Sequence, residues 1–199
     1  MINHSHGDRA SKLLKNTATT VALLCLFMPA TVFANQWQVA AASDNNGNPE
    51  KVRGAIAGYE HIPKGWRVQR VNTWLPEYRF SISGHIAHWD SRARSTLTGA
   101  KNHLTTLALT PNFVAVLHQG KNVRPYALVS VGPAYLSTVK FASQHLGSHF
   151  NFQDTLGLGV ELDQHWDVSL NYLHYSNASL ASRNQGVDVH YLLRVGYRT

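Results

Sequence analysis

Cysteine occurs once in the 199-residue chain, at position 25, inside an amino-terminal segment that the sequence marks for removal. What remains excludes disulfides and Cys₄ zinc centres, even though the chain is addressed for export. Long apolar runs are also missing. No stretch of about 20 apolar residues follows position 35, which excludes a membrane-spanning helix. It does not exclude spanning strands, whose signal is only about ten alternating residues per segment. There is no useful helical period, no heptad pattern and no internal repeat. There is also no Gly-rich phosphate loop, no His-Glu-x-x-His and no nucleic-acid-binding pattern.

The first segment carries Arg9, Lys12 and Lys15, then the apolar run "VALLCLFMPATVFA" at 21–34, interrupted by Pro29. Val32-Phe33-Ala34 has the small residues of a cleavage site. A basic start, a short apolar stretch and such a site predict a secretory signal peptide over 1–34. The remaining 165 residues, 35–199, suffice for one domain with a substantial core. They hold 15 Lys and Arg against 10 Asp and Glu, a basic surplus that suits an anionic surface but also ordinary solvated charge.

What the chain does have is alternation with period two. In 78–88 the even residues are Tyr78, Phe80, Ile82, Gly84, Ile86 and His88, and the odd ones are Arg79, Ser81, Ser83, His85 and Ala87. Segments 150–162 and 166–176 repeat the pattern, as strands with one apolar and one polar face do. "DNNGNPE" (44–50), "PKG" (63–65), "HQGKN" (118–122), "LDQHW" (162–166) and "SLASRNQG" (179–186) separate them as turns and loops. Eight strands are predicted, at 36–42, 50–60, 77–89, 103–118, 124–138, 149–162, 165–177 and 187–198. Strand 124–138 alternates poorly and contains Pro125 and Pro133.

A soluble barrel turns its apolar face inward, whereas a membrane barrel turns it out and keeps polar side chains in the lumen. The polar faces here hold Asn, Gln, Thr, Ser, Glu and Arg, which a narrow hydrogen-bonded lumen satisfies. Trp37, Tyr59, Tyr78, Trp89, Trp166 and Tyr197, near strand ends, are candidates for interfacial girdles. The predicted fold is therefore an all-β, eight-stranded antiparallel transmembrane barrel of the outer-membrane type.

The apolar face of 166–176 runs Trp166, Val168, Leu170, Tyr172 and then ends in His174 and Ser176. Residues i and i+2 of a strand share a face, with Cα atoms roughly 6.6–7 Å apart. An imidazole so placed can serve as general base to a serine hydroxyl. Polar groups on a lipid-facing wall cost free energy unless paired, so the pair asks for an explanation. Taken alone it also fits interface residues meeting water and headgroups.

The neighbourhood adds a resemblance. "HYSNAS" (174–179) followed by "NQGVD" (184–188) resembles the PagL family of lipid A 3-O-deacylases, whose pattern is His-Tyr-Ser-Asn-Ala-Gly, then Asn-x-Gly-Ile/Val-Glu/Asp. "LGSHFNFQD" (146–154) is similar to the same family's Leu-Gly-Ser-x-x-Asn-Phe-Glu-Asp stretch, and "VRPYALVSVGPAY" (123–135) to its Lys/Arg-Pro-Phe strand. The likeness covers most of 50–198, most tightly 123–190. It implies an outer-membrane enzyme, with its site on the outer wall, that hydrolyses the ester of the 3-hydroxyacyl chain at position 3 of lipid A without metal or cofactor. On matching positions Ser176 is implied as nucleophile, His174 as general base and Asp188 as the acid that orients the imidazole. Asn184 and the backbone N–H near Ser179 match oxyanion-stabilising positions, and Asn177 reads as structural support. Two positions depart from the pattern. Asp188 is one methylene shorter than the glutamate of the best-known members, and Ser179 replaces a glycine.

Parity raises a conflict in 187–198. The odd residues Val187, Val189, Tyr191, Leu193 and Val195 look lipid-facing, which puts Asp188 with His190 and Arg194 on the other side. A bulge at Leu192-Leu193 would re-register the strand, or Asp188 would belong to the loop. Histidines 85, 88, 103, 145 and 149 invite a metal reading, but no clear acidic ligands accompany them. Phe150, Phe152 and Trp166 read as lipid-facing side chains, and Arg183 as a loop cation able to meet lipid A phosphates or simply solvated. The implied partners are lipid A and outer-membrane lipid, with no nucleic acid; a homodimer is compatible. A non-catalytic structural or adhesive barrel explains the alternation equally well, and an acyltransferase barrel shares the architecture.

Overall fold

The structure, a computed structural model, describes residues 35–43, 51–63, 67–68, 76–93, 95, 97–118, 120–163 and 165–199. The predicted signal peptide 1–34, the turn 44–50 and the Lys64-Gly65 part of the turn at 63–65 lie outside the described residues.

Among the described residues eight long strands form an up-and-down antiparallel sheet: β1 (Asn35–Ser43), β2 (Val52–His61), β3 (Glu77–Ser91), β4 (His103–Val116), β5 (Val123–Leu136), β6 (Phe150–Leu162), β7 (Trp166–Ser176) and β8 (Val187–Arg198). Each pairs with its sequence neighbours, and β8 pairs with β1 (Trp37 opposite Tyr197), so the sheet closes. Closure satisfies every strand edge, which is the condition for β structure in hydrocarbon. A two-residue strand, Arg67–Val68, extends the β2–β3 connection along β3. Another small pair, Lys140–Phe141 with Gln144–His145, stands in the β5–β6 loop.

The predicted strands coincide with these to within a few residues, including β5. That strand is regular against β6, with Pro125 opposite Val160 and Pro133 opposite Phe152. Its pairing with β4 lapses between Ala134 and Ser130, a stretch that holds Pro133 and, on β4, Pro111, each lacking an N–H. Gly132 lets the strands stay close there, since a Cβ on it would fall 2.2 Å from the Leu109 carbonyl oxygen.

The wall is apolar outside and polar inside. Ile86, Leu107, Leu109, Val129, Val131, Leu156, Leu158, Leu170 and Leu193 are exposed, while Gln38, Glu60, Arg79, Ser81, Asn112, Gln153, Glu161, Asp167 and Ser169 are buried. Tyr59, Trp37, Tyr197 and Trp166 follow one another across adjacent strands near the termini, with Trp37–Tyr59 centroids 4.6 Å apart and Trp166–Tyr197 4.9 Å apart. This is one arc of an interfacial girdle. Trp89 corrects the prediction: it is fully buried inside the barrel, its indole N–H donating to the Tyr175 hydroxyl at 3.2 Å. Its odd position in β3 is the lumen parity.

The lumen has two halves. Toward the termini, Glu161 binds Arg79 and Arg198 (2.7 Å), with Arg124 3.5 Å away. Glu60 takes hydrogen bonds from Gln38 and Ser81. Arg194 reaches Asp167 (3.2 Å), Tyr126 (2.9 Å) and Ser169 (3.0 Å). Asn112 donates to Ser81 and Ser83, so all eight strands contribute. Toward the other end the interior is apolar, an arrangement the sequence reading did not foresee. Trp89, Leu104, Leu136, Leu173, Tyr175, Val187 and Val189 pack with Phe141, Ala142 and Leu146 of the β5–β6 loop. Loops at that end include 92–102, 137–149 and 177–186, whereas two of the three connections at the terminus end, 117–122 and 163–165, are short and the third, 62–76, is long. Longer loops mark the extracellular side.

Removing Glu161 leaves three guanidinium groups around a buried vacancy of charge. Glu161→Ala is expected to destabilise the barrel by about 3–5 kcal/mol, measured as a lowered urea midpoint in detergent or vesicles.

Candidate active site on the outer wall

The last three residues of β7 divide by parity. Tyr175 points inward and is fully buried, its hydroxyl held by Trp89 and by Thr106 at 3.0 Å. His174 and Ser176, on either side of it, lie on the outer face with Tyr172 and Leu170. The inward anchor therefore fixes the two outward side chains.

Asp188 is on that same face. Register along β7–β8 runs Trp166 opposite Tyr197 through Asn171 opposite Leu192, then shifts, so that Leu173 faces Val189, His174 faces Asp188 and Tyr175 faces Val187. The extra residue sits at His190–Tyr191, opposite Tyr172, and both of these side chains are exposed. A bulge of this kind inverts the parity of everything beyond it. Val187 and Val189 are consequently buried in the lumen, not lipid-facing as their odd positions predict. Asp188 and His190 point outward, while Arg194, before the bulge along the pairing, stays inside. The bulge falls just ahead of the Leu192-Leu193 doublet, and Asp188 belongs to the strand.

The carboxylate reaches the imidazole despite its short stem because the two residues are direct cross-strand partners. His174 Nδ1 and Asp188 Oδ1 are 2.7 Å apart, with side chains 30% and 37% exposed. A carboxylate only accepts, so the proton resides on Nδ1 and Nε2 is left for a second partner. Tyr172 also donates its hydroxyl to Asp188 Oδ1. The Cε1–Nε2 edge of the ring lies over Gly186, where a Cβ would come 2.3 Å from Cε1 and 3.0 Å from Nε2. Gly186 precedes Val187, the partner of Tyr175, so this edge is turned toward the Ser176 end of the strand. The imidazole makes no hydrogen bond to Ser176 in this conformation.

The loop after β7 is shaped by its asparagines. The Asn177 side chain, fully buried, donates to Leu146 O (2.9 Å) and Arg183 O (2.6 Å) and so ties loop 137–149 to loop 177–186. Its backbone N–H donates to Asn184 Oδ1 at 2.8 Å, which uses the carboxamide oxygen and leaves the NH₂ as the donating group. Ala178 and Ser179 take φ of 50° and 63°. The chain thus keeps the left-handed turn at Ser179 with a side chain present, at a cost of about 1–2 kcal/mol per residue. Gly147, at φ 76°, allows the loops to meet, since a Cβ there would lie 2.0 Å from Arg183 O. His145 and Gln185 complete the contact, His145 N donating to Gln185 Oε1 at 2.7 Å.

Other sequence candidates disperse. His85 lies in the lumen against Gln153, and His88 is outside, 3.0 Å from Thr105 Oγ1. His149 Nδ1 meets the Leu136 carbonyl. Arg183 is exposed in its loop, and Phe150 lies outside, edge-on to Phe152. Phe152 is the cross-strand partner of Ser176, which sets an aromatic ring beside the serine on the outer wall. Three neighbours escaped the sequence reading: Tyr172 and Gly186, described above, and Asp154, which pairs with His174 from the β6 side. A carboxylate inside an otherwise apolar face, Phe152-x-Asp154-x-Leu156, was the visible signal for the last.

Three comparisons with known proteins bear on the chain as a whole. The family model described as lipid A 3-O-deacylase (PagL) matches residues 53–198. The lipid A deacylase PagL of Pseudomonas aeruginosa is 33% identical over 90 residues, 45% of this chain and 50% of that protein. The lipid A deacylase PagL of Bordetella bronchiseptica is 36% identical over 66 residues, 33% and 37% of the two chains. The chain thus spans half or less of the curated relatives it matches. A crystal structure of the outer membrane enzyme PagL superposes with a TM-score of 0.60 at 21% identity, covering 81% of this chain and 97% of that one, a likeness of fold. With the family pattern running through nearly the whole barrel, from β2 to the end of β8, the chain belongs to the lipid A 3-O-deacylase (PagL) family.

Proposed function

We propose that this outer-membrane barrel is a serine esterase that hydrolyses the ester-linked 3-hydroxyacyl chain at position 3 of lipid A. The observation that carries this reading is the hydrogen-bonded His174–Asp188 pair on the outer wall with Ser176 on the same face. A nucleophile in that place meets a substrate whose acyl chains lie in the same leaflet, so the ester arrives by lateral diffusion.

Ser176 Oγ attacks the ester carbonyl while His174 Nε2 takes its proton, and Asp188 stabilises the imidazolium that forms. The Asn184 NH₂ and the Ser179 backbone N–H supply donors to the tetrahedral oxyanion. His174 returns the proton to the departing lipid A hydroxyl. Water, activated by the same imidazole, then cleaves the acyl-enzyme and releases a 3-hydroxy fatty acid. Phe152, beside Ser176, and Leu156 farther along β6 give the acyl chain an apolar wall. We also propose that residues 1–34 are a signal peptide removed on export.

Ser176→Ala and His174→Ala are each expected to abolish fatty-acid release while the barrel still folds, read by mass spectrometry of lipid A and by the electrophoretic shift of the unheated barrel. Unchanged acylation with wild-type protein would favour a purely structural barrel, and a mass gain an acyltransferase. Asn184→Asp keeps the acceptor for Asn177 N–H but loses both donors, so kcat should fall roughly 10²–10³-fold with the loop intact by limited proteolysis. Gly186→Ala should displace the imidazole, and the rate of Ser176 labelling by a fluorophosphonate should drop with little change in barrel stability.

A further inference from the structure

Asp188 is a short acid on a lipid-facing wall, and one of its oxygens, Oδ1, accepts hydrogen bonds from two side chains at once, His174 and Tyr172. Tyr172 is two residues before His174 on the same face, 37% exposed, and so flanks the imidazole on the side away from Ser176. Its position is not incidental to the strand. It stands opposite the β8 bulge, where His190 and Tyr191 both turn outward, and its ring lies 5.7 Å from that of His190. The residue that faces the bulge is thus the one that holds the carboxylate the bulge exposes. A phenol hydroxyl facing hydrocarbon is costly unless bonded, and Asp188 is the acceptor that the side chain has.

We propose that Tyr172 is a positioning residue of the esterase site: its hydroxyl fixes the Asp188 carboxylate in the rotamer that meets His174 Nδ1. This rests on the esterase reading above. A carboxylate held at one oxygen by a neighbouring donor has fewer alternatives to the imidazole. His174 in turn keeps Nε2 turned toward Ser176. Tyr172 touches neither the reacting ester nor Ser176; it acts through Asp188.

The test uses the full barrel purified in detergent micelles. Two rates are measured: fatty-acid release from lipid A, resolved into kcat and KM, and labelling of Ser176 by a fluorophosphonate, which needs no lipid A. Tyr172→Phe retains the ring and its packing against His190. It is expected to lower kcat and the labelling rate roughly 10- to 100-fold, with KM unchanged. In an Asp188→Asn background the same substitution should change the labelling rate less than about twofold, because residues acting through one contact are not additive. Wild-type kcat and labelling in Tyr172→Phe would overturn the inference, as would a loss confined to KM or effects that add in the double variant. Ser176→Ala separates the two levels. If it still releases fatty acid, the esterase reading falls. If it is inert while Tyr172→Phe behaves as wild type, only the role of Tyr172 falls.

Discussion

One additional residue in β8 decides whether this wall can carry a catalytic acid. A closed sheet in lipid has no freedom to rotate a strand, because each edge is paired and each face is committed to hydrocarbon or lumen. With strict alternation from Tyr197 upward, Asp188 would point into the barrel beside an apolar packing layer, and Val187 and Val189 would point out. The shift between Asn171 and Leu173 exchanges those fates. It buries the two valines against Tyr175, Leu173 and Trp89, and sends Asp188 to the face of His174. The exchange is favourable on both counts, since apolar side chains gain burial and a carboxylate avoids an apolar interior. The bulge that makes the site is thus also the bulge that completes the packing behind it.

That packing explains why the site can be rigid at the end of a strand. A wide or water-filled lumen would leave the last residues of β7 free to fray. Here Tyr175 is fully buried with its hydroxyl satisfied, and Asn177 ties two loops together from inside. The outward residues between these anchors inherit their restraint. The polar half of the lumen does different work. Its Glu161 and Arg194 clusters cross-link all eight strands near the termini, far along the strands from the His174–Asp188 pair. Their charges are satisfied by one another rather than by substrate.

Much of this was legible in the sequence because its signal has period two. Strand positions, the inverted faces and the shared face of His174 and Ser176 all follow from counting every second residue. The same counting failed where the period broke. Strict parity puts Asp188 on the lumen side, and counting alone does not choose between a bulge and a loop position that would free it, because a bulge has no composition of its own; Leu192-Leu193 only marks the vicinity, and the insertion falls at His190–Tyr191. Tryptophan near a strand end suits an interface, which makes Trp89 a girdle candidate, yet its parity is that of the lumen. The apolar half of the interior stayed hidden because it is assembled from residues distant in sequence, Trp89, Phe141, Tyr175 and Val187, no two of which form a local pattern. Tyr172 was hidden for the opposite reason, since in sequence it is one more aromatic in an apolar row.

The depth of the site follows from the reaction it is proposed to run. An imidazolium–carboxylate pair formed deep in hydrocarbon would cost more in desolvation than its attraction returns, and water could not reach an acyl-enzyme there. In bulk water the pair would be screened and the acyl chain would have nowhere to lie. His174 and Asp188, about a third exposed at the loop end of their strands, sit between these limits. Below them on the same face come Leu170, Val168 and Trp166, and above them the loop with Asn184. The ester of a lipid with its chains in the leaflet and its sugars above lies at the level where that apolar wall gives way to polar loop. A pair one turn of the pleat lower would lose its water, and one in the loop would lose the cross-strand register that brings a short aspartate within reach of its histidine.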